Sequence, residues 1–133
     1  MRSLITLLAA VFAACLAAAP AAAQVEGRYE LVQINGHALP APSPTEDDVM
    51  MHRAALALMA DGRFLMQAQA SAGDDAEARE SEARGTWSVT GDSLALTPED
   101  GGADDALLFR WTLEDGTLTL VDEEGDAYTF RRT

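Results

Sequence analysis

"EDGTLTLVDEEGDAYTFRR", residues 114–132, states one short phrase twice: acidic residues and a glycine, then apolar and polar residues in alternation. Asp-Gly and Glu-Gly pairs supply the positive φ that tight hairpin turns require, and a period of two places every second side chain on one face of a strand. Each phrase is therefore a turn plus a strand. "ADGRFLMQA" (60–68) and "TGDSLALT" (90–97) have the same form, with Gly62 and Gly91 as turn residues and Phe64, Met66, Leu94 and Leu96 as the buried beat. The repetition describes an antiparallel meander.

Eight strand segments follow from this reading. "GRYELVQI" (27–34) turns Tyr29 and Leu31 inward and ends at the Asn35-Gly36 turn signal. "RAALALMA" (53–60) turns Leu56 and Leu58 inward and Ala55, Ala57 and Met59 outward. "RFLMQAQA" (63–70), "GTWSVT" (85–90, with Trp87 and Val89 inward) and "SLALT" (93–97) come next. "ALLFRWTL" (106–113) buries Leu107, Phe109, Trp111 and Leu113; "TLTLVD" (117–122) buries Leu118 and Leu120; "AYTFRR" (127–132) buries Tyr128 and Phe130. One segment is ambiguous, because "EDDVMMHRAALALMA" (46–60) is rich in Ala and Met and has an acidic start suited to a helix. Its Asp61-Gly62 end, leading straight into "RFLM", favours the first arm of a hairpin.

Two connections are long. "HALPAPSPTEDD" (37–48) holds three of its prolines within five residues and is expected not to pair in a sheet. "SAGDDAEARESEAR" (71–84) is charged and lacks an apolar face, so a solvated loop or a frayed helical turn is expected. Long loops on a rigid scaffold are where binding tends to sit.

Eight short strands joined by hairpins leave two bare edges unless the sheet closes on itself. The expected fold is all-β: an eight-stranded antiparallel up-and-down meander closed into a small barrel. At eight strands the interior is filled by side chains or holds one small ligand.

The start of the chain, "MRSLITLLAAVFAACLAAAPAAAQ", joins Arg2 to an apolar run from Leu4 to Ala19 and closes on small residues, the grammar of a secretory signal peptide. Cleavage is expected after Ala23, leaving residues 24–133 as a single exported domain, periplasmic or secreted, with no transmembrane segment. Lipidation at Cys15 is the lesser alternative, since "FAAC" has Phe12 where a lipobox has Leu and no polar tether follows. Cys15 is the only cysteine, so the mature chain would have no disulfide, zinc-thiolate site or thiol nucleophile. Removing Arg2 leaves 8 basic residues, all arginine, against 22 acids, a net charge near −14. That field disfavours nucleic acid and anionic membranes as partners and favours basic proteins or cations. It also keeps a small exported domain in solution.

The chain resembles the lipocalin-like small barrels of exported bacterial proteins, on the strength of "GRYELV" (27–32), "DGRF" (61–64), "GTWSVTGDSLAL" (85–96) and the closing "YTFRR" (128–132). In that family a Gly-x-Trp opens the first strand and a late arginine packs over the Trp. Gly27 matches the glycine, Tyr29 stands where Trp is usual, and Arg131 or Arg132 supplies the arginine. Parity prefers Arg132, two residues beyond the inward Phe130, so the resemblance implies Arg132 over the Tyr29 ring.

No constellation for catalysis emerges. His37 and His52 lie outside recognisable motifs and are expected to face solvent. "VMMHR" (49–53) has ligand types suited to Cu(I), but as a strand it puts Met50 and His52 on one face and Met51 on the other. The acid runs "EDGGADD" (99–105) and "DEEGD" (122–126) lack the spacing of a calcium loop and read as hairpin turns. Glu30 has outward parity, so a desolvated pair with Glu114 is not expected. The chain is expected to be a non-enzymatic monomer without cofactor or metal. Tyr29, Trp87, Phe109, Trp111 and Tyr128 are the candidate ligand-binding residues, lining a pocket for a small apolar ligand if the barrel is hollow. Short strands enclose little volume, which favours a filled core; the alternative function, suggested by the charge near −14 and the loops at 37–48 and 71–84, is an acidic interaction or inhibitor protein whose loops engage a basic envelope partner, much as small periplasmic barrels can inhibit lysozymes, and a copper-handling protein ranks below both.

Overall fold

The computed structural model describes residues 20–74, 77–101 and 105–133. A short helix, α1 (Pro20–Val25), leads into β1 (Gly27–Ile34), β2 (His37–Ala38), β3 (Ala41–Pro42), β4 (Val49–Leu58), β5 (Arg63–Ala72), β6 (Arg79–Thr90), β7 (Ser93–Pro98), β8 (Leu107–Glu114), β9 (Thr117–Val121) and β10 (Ala127–Arg132). From β4 to β10 each strand pairs antiparallel with the next, and β1 pairs with both β10 and β4. That double pairing closes an eight-stranded barrel, with β2 and β3 appended to β1 and β4. The turns form where the sequence supplies positive φ: Asn35 (52°) with Gly36 (81°) between β1 and β2, and Asp115 (50°) with Gly116 (79°) between β8 and β9.

The core holds every second side chain. Tyr29, Leu31, Leu56, Leu58, Phe64, Trp87, Leu94, Leu96, Leu118, Leu120 and Phe130 are buried, with Val25 of α1 closing the end at which β1 begins. Two bulges shift the beat. An extra residue at Val32 lets both Leu31 and Ile34 face inward, and one at His52 does the same for Met51 ahead of Ala54. The ambiguous segment 46–60 is the strand arm, and it begins at Val49.

Three expectations are corrected. The Pro-rich stretch 37–48 does pair, because Ala41 and Pro42 lie opposite Met51 and Met50 at the end of β4, where a missing amide interrupts no central ladder. The charged stretch 71–84 is neither loop nor helical turn over most of its length. Ser71 and Ala72 end β5, and Arg79–Arg84 extend β6 in continuous register with it, from Ala70 opposite Arg79 to Leu65 opposite Arg84. Backbone pairing with β5 supplies what the side-chain pattern lacks. Leu107, expected inside, is 51% exposed: it lies opposite the buried Leu96 of β7 at the start of β8, but the ladder to β9 reaches only as far as Arg110, so no β9 residue stands opposite it.

Candidate binding site

The end of the barrel nearest α1 is built around Tyr29. Its ring is 1% exposed, and its hydroxyl donates to the carbonyl of Val25 (2.5 Å), tying α1 to β1. Arg132 lies over the ring with its guanidinium carbon 5.3 Å from the centroid, as parity implied. Its Nη2 donates to the Tyr29 hydroxyl (2.8 Å), the Gln24 carbonyl (2.6 Å) and the Glu26 carbonyl (3.1 Å). One guanidinium thus holds together the first and last strands and the helix that stops the barrel. Burial raises the Tyr29 pKa, while the hydrogen bond and the positive charge of Arg132 act against the rise.

The other candidate aromatics share the same interior but not one void. Trp87 is buried, and its indole N–H donates to the Met59 carbonyl (2.8 Å). Trp111 is half-buried with its N–H on the Gly91 carbonyl (3.1 Å). Phe109 and Tyr128 meet edge to face, centroids 6.4 Å apart at 87°. Tyr128 is pushed up to about 12, first by burial and then by the negative charges of Asp122 and Asp126 and a hydrogen bond to Asp122. The Asp122 carboxylate also accepts the backbone amides of Glu124 (3.0 Å) and Asp126 (2.9 Å), so "DEEGD" is a capped turn. The polar atoms of Tyr29, Trp87 and Trp111 are thereby bound within the chain, leaving no free handle for an interior ligand at these three residues.

The larger concavity lies on the outer face, across β1, β4, β5 and β6, with a volume of about 630 Å³. Ala55 and Ala57 form its floor and Arg28, Glu30, Arg53 and Glu82 stand around it; of the five candidate aromatics only Tyr29 contributes to its lining. Arg53 pairs with Glu30 at 3.8 Å, and Gln69 donates to Glu80 (2.9 Å). A second concavity of about 570 Å³ lies between the 42–49 segment and Gly73, bordered by Glu46, Asp47, Asp48 and Asp74. No group of three or more His, Cys, Asp or Glu suited to a metal ion occurs among the described residues.

His37 is exposed as expected, whereas His52 is half-buried at the β4 bulge with its Nε2 2.8 Å from the Ser71 hydroxyl. Met51 packs on the core while Met50 is exposed, so the two methionines do not converge. Glu30 is exposed and paired, as its parity required. What sequence reasoning missed is the outer face of β4–β6: Ala55 and Ala57 had outward parity, but Glu80 and Glu82 lay in a stretch without an apolar beat. No helix among the described residues is long and apolar enough to cross a membrane. Neither a known family nor a curated protein matches the chain.

Proposed function

We propose that this chain is an exported, lipocalin-like barrel that binds a basic partner protein through its acidic exterior, residues 1–23 being a cleaved leader and 24–133 the mature domain. The observation that supports it is the division between inside and outside. The buried side chains are apolar and pack on one another, whereas the two concavities described and the excess of acids face solvent. No catalytic step belongs to this reading. Cleavage after Ala23 would remove four of the six residues of α1 and the Ala22 carbonyl that accepts from Glu26, but it retains Val25 and the Gln24 and Glu26 carbonyls that Arg132 holds.

The test is to immobilise the mature chain and measure its affinity for cationic envelope proteins at low and high ionic strength. Affinity that falls steeply with salt supports the reading, and affinity indifferent to salt overturns it. Mass spectrometry of protein recovered from the envelope is expected to place the N-terminus at Gln24.

A second reading is favoured by one observation. Phe109, Trp111 and Tyr128 are only half-buried, and Leu107 beside them in β8 is exposed, so an apolar ligand could seat there at the barrel wall. Titration with a fatty acid would then quench tryptophan fluorescence, and Trp111→Phe would remove the quench; no change in fluorescence excludes it.

A further inference from the structure

Among the described residues the charged extension of β6 runs past its β7 neighbour. β5 accompanies β6 from Thr86 back to Arg79, but β7 accompanies it only from Thr90 to Gly85. Among the described residues no strand pairs with 80–83 on that second side. Which residues face the edge follows from the alternation of backbone directions along a strand. The Trp87 amide donates to the Gly62 carbonyl on the β5 side, and the Arg84 carbonyl accepts from the Glu99 amide on the β7 side. Even-numbered residues therefore point to the edge, and Glu80 and Glu82 present both amide and carbonyl there.

Such an edge is a template for another strand. We infer that residues 80–83 of β6 form a strand-addition site for an extended, arginine- or lysine-bearing segment of a partner protein. The inference rests on the basic-partner reading and gives it a location. Four exposed carboxylates, Glu80, Glu82, Glu99 and Asp100, border the edge against Arg79 and Arg84, and Arg84 is already paired with Glu82. Ser81 and Ala83, between the edge-facing residues, are small and exposed, so an incoming backbone meets no bulky side chain. A second copy of the chain would bring its own large negative charge to the same place, which favours a cationic occupant over self-pairing.

The test uses the mature chain and a capped ten-residue peptide of alternating arginine and valine. Glu82→Gln removes one charge and keeps the edge, whereas Glu82→Pro also removes an edge-facing amide while leaving the β5 ladder intact. Binding is expected to weaken a few-fold in E82Q and by a further factor of about ten in E82P, with exchange of the Glu80 and Glu82 amides slowed in the wild-type complex. An unchanged urea midpoint for E82P confirms that it folds. Equal binding by E82P and E82Q, or protection elsewhere, overturns the edge site while salt-sensitive binding leaves the basic-partner reading standing. Absence of peptide binding at low salt overturns both. Dimers of the wild-type chain that vanish in E82P would assign the edge to a second copy and overturn the cationic occupant.

Discussion

At the scale of single residues, Arg132 and the two tyrosines carry the most testable physics. The Nη2 of Arg132 serves three oxygens and its plane stacks on Tyr29, while Gly27 opposite it has φ of +145°, and a Cβ there would come within 3.2 Å of the Arg132 Nε. Arg132→Ala is expected to lower stability by about 2 kcal/mol, from the stacking and the net worth of the hydrogen bonds, read as a urea midpoint. Arg132→Lys should restore only part of it, because an ammonium keeps the charge without the planar fork. The chain has only two tyrosines, so alkaline titration at the tyrosinate absorbance band reports Tyr29 and Tyr128 alone. Both are shifted upward, Tyr128 to about 12. A phenol whose folded pKa exceeds its unfolded value contributes stability that is complete below the unfolded pKa, about 10, and is lost as pH rises through the folded one. The folded chain should therefore ionise later than the chain in urea, stability should fall between roughly pH 10 and 12, and Tyr128→Phe should flatten that fall. Coincident titration curves in buffer and urea would contradict the burial of both rings.

At the scale of elements, the strands were legible because turn chemistry and alternation agree: Asp115-Gly116, Gly62 and Gly91 turn where expected, and Leu94, Leu96, Leu118 and Leu120 are essentially inaccessible. Legibility failed where pairing overrides pattern. Residues 79–84 are polar on both faces, so no periodicity announces a strand, yet the ladder to β5 holds them extended. The bulges at Val32 and His52 likewise have no compositional mark, although the first decides that Ile34 rather than Gln33 is buried and the second lets Met51 pack on the core ahead of Ala54. The five aromatics were found facing the interior, but whether they enclose a void depends on three-dimensional packing that period-two reasoning does not contain. The β6–β7 contact yields a further prediction. A Cβ on Gly85 would collide with the Thr97 carbonyl oxygen and come within 2.8 Å of the Phe64 ring, with backbone on one side and core on the other. Gly85→Ala is expected to cost about 3 kcal/mol or more and to shift the thermal midpoint sharply downward, whereas an unchanged midpoint would mean that β6 and β7 are not packed this closely.

At the scale of the whole molecule, closure and charge act in opposite directions. β1 joins β10 on one side and β4 on the other, so the first and last strands are bound into one cooperative unit whose core, among the described residues, carries no buried charged or polar residue. Against it stands a net charge of −13 over the full sequence, with the ion pairs Arg53–Glu30, Arg63–Asp61 and Arg84–Glu82 all solvent-exposed and individually weak. Repulsion among the unpaired carboxylates favours expansion, and it is the part of the energy that mobile ions screen. Raising sodium chloride from low to physiological ionic strength should therefore raise the urea midpoint, since screening relieves the repulsion more than it weakens those pairs. The same salt should weaken binding to a cationic partner, because one field governs both. A urea midpoint that falls with salt would show instead that attractive pairs dominate the surface, and would remove the electrostatic ground on which a basic partner was chosen.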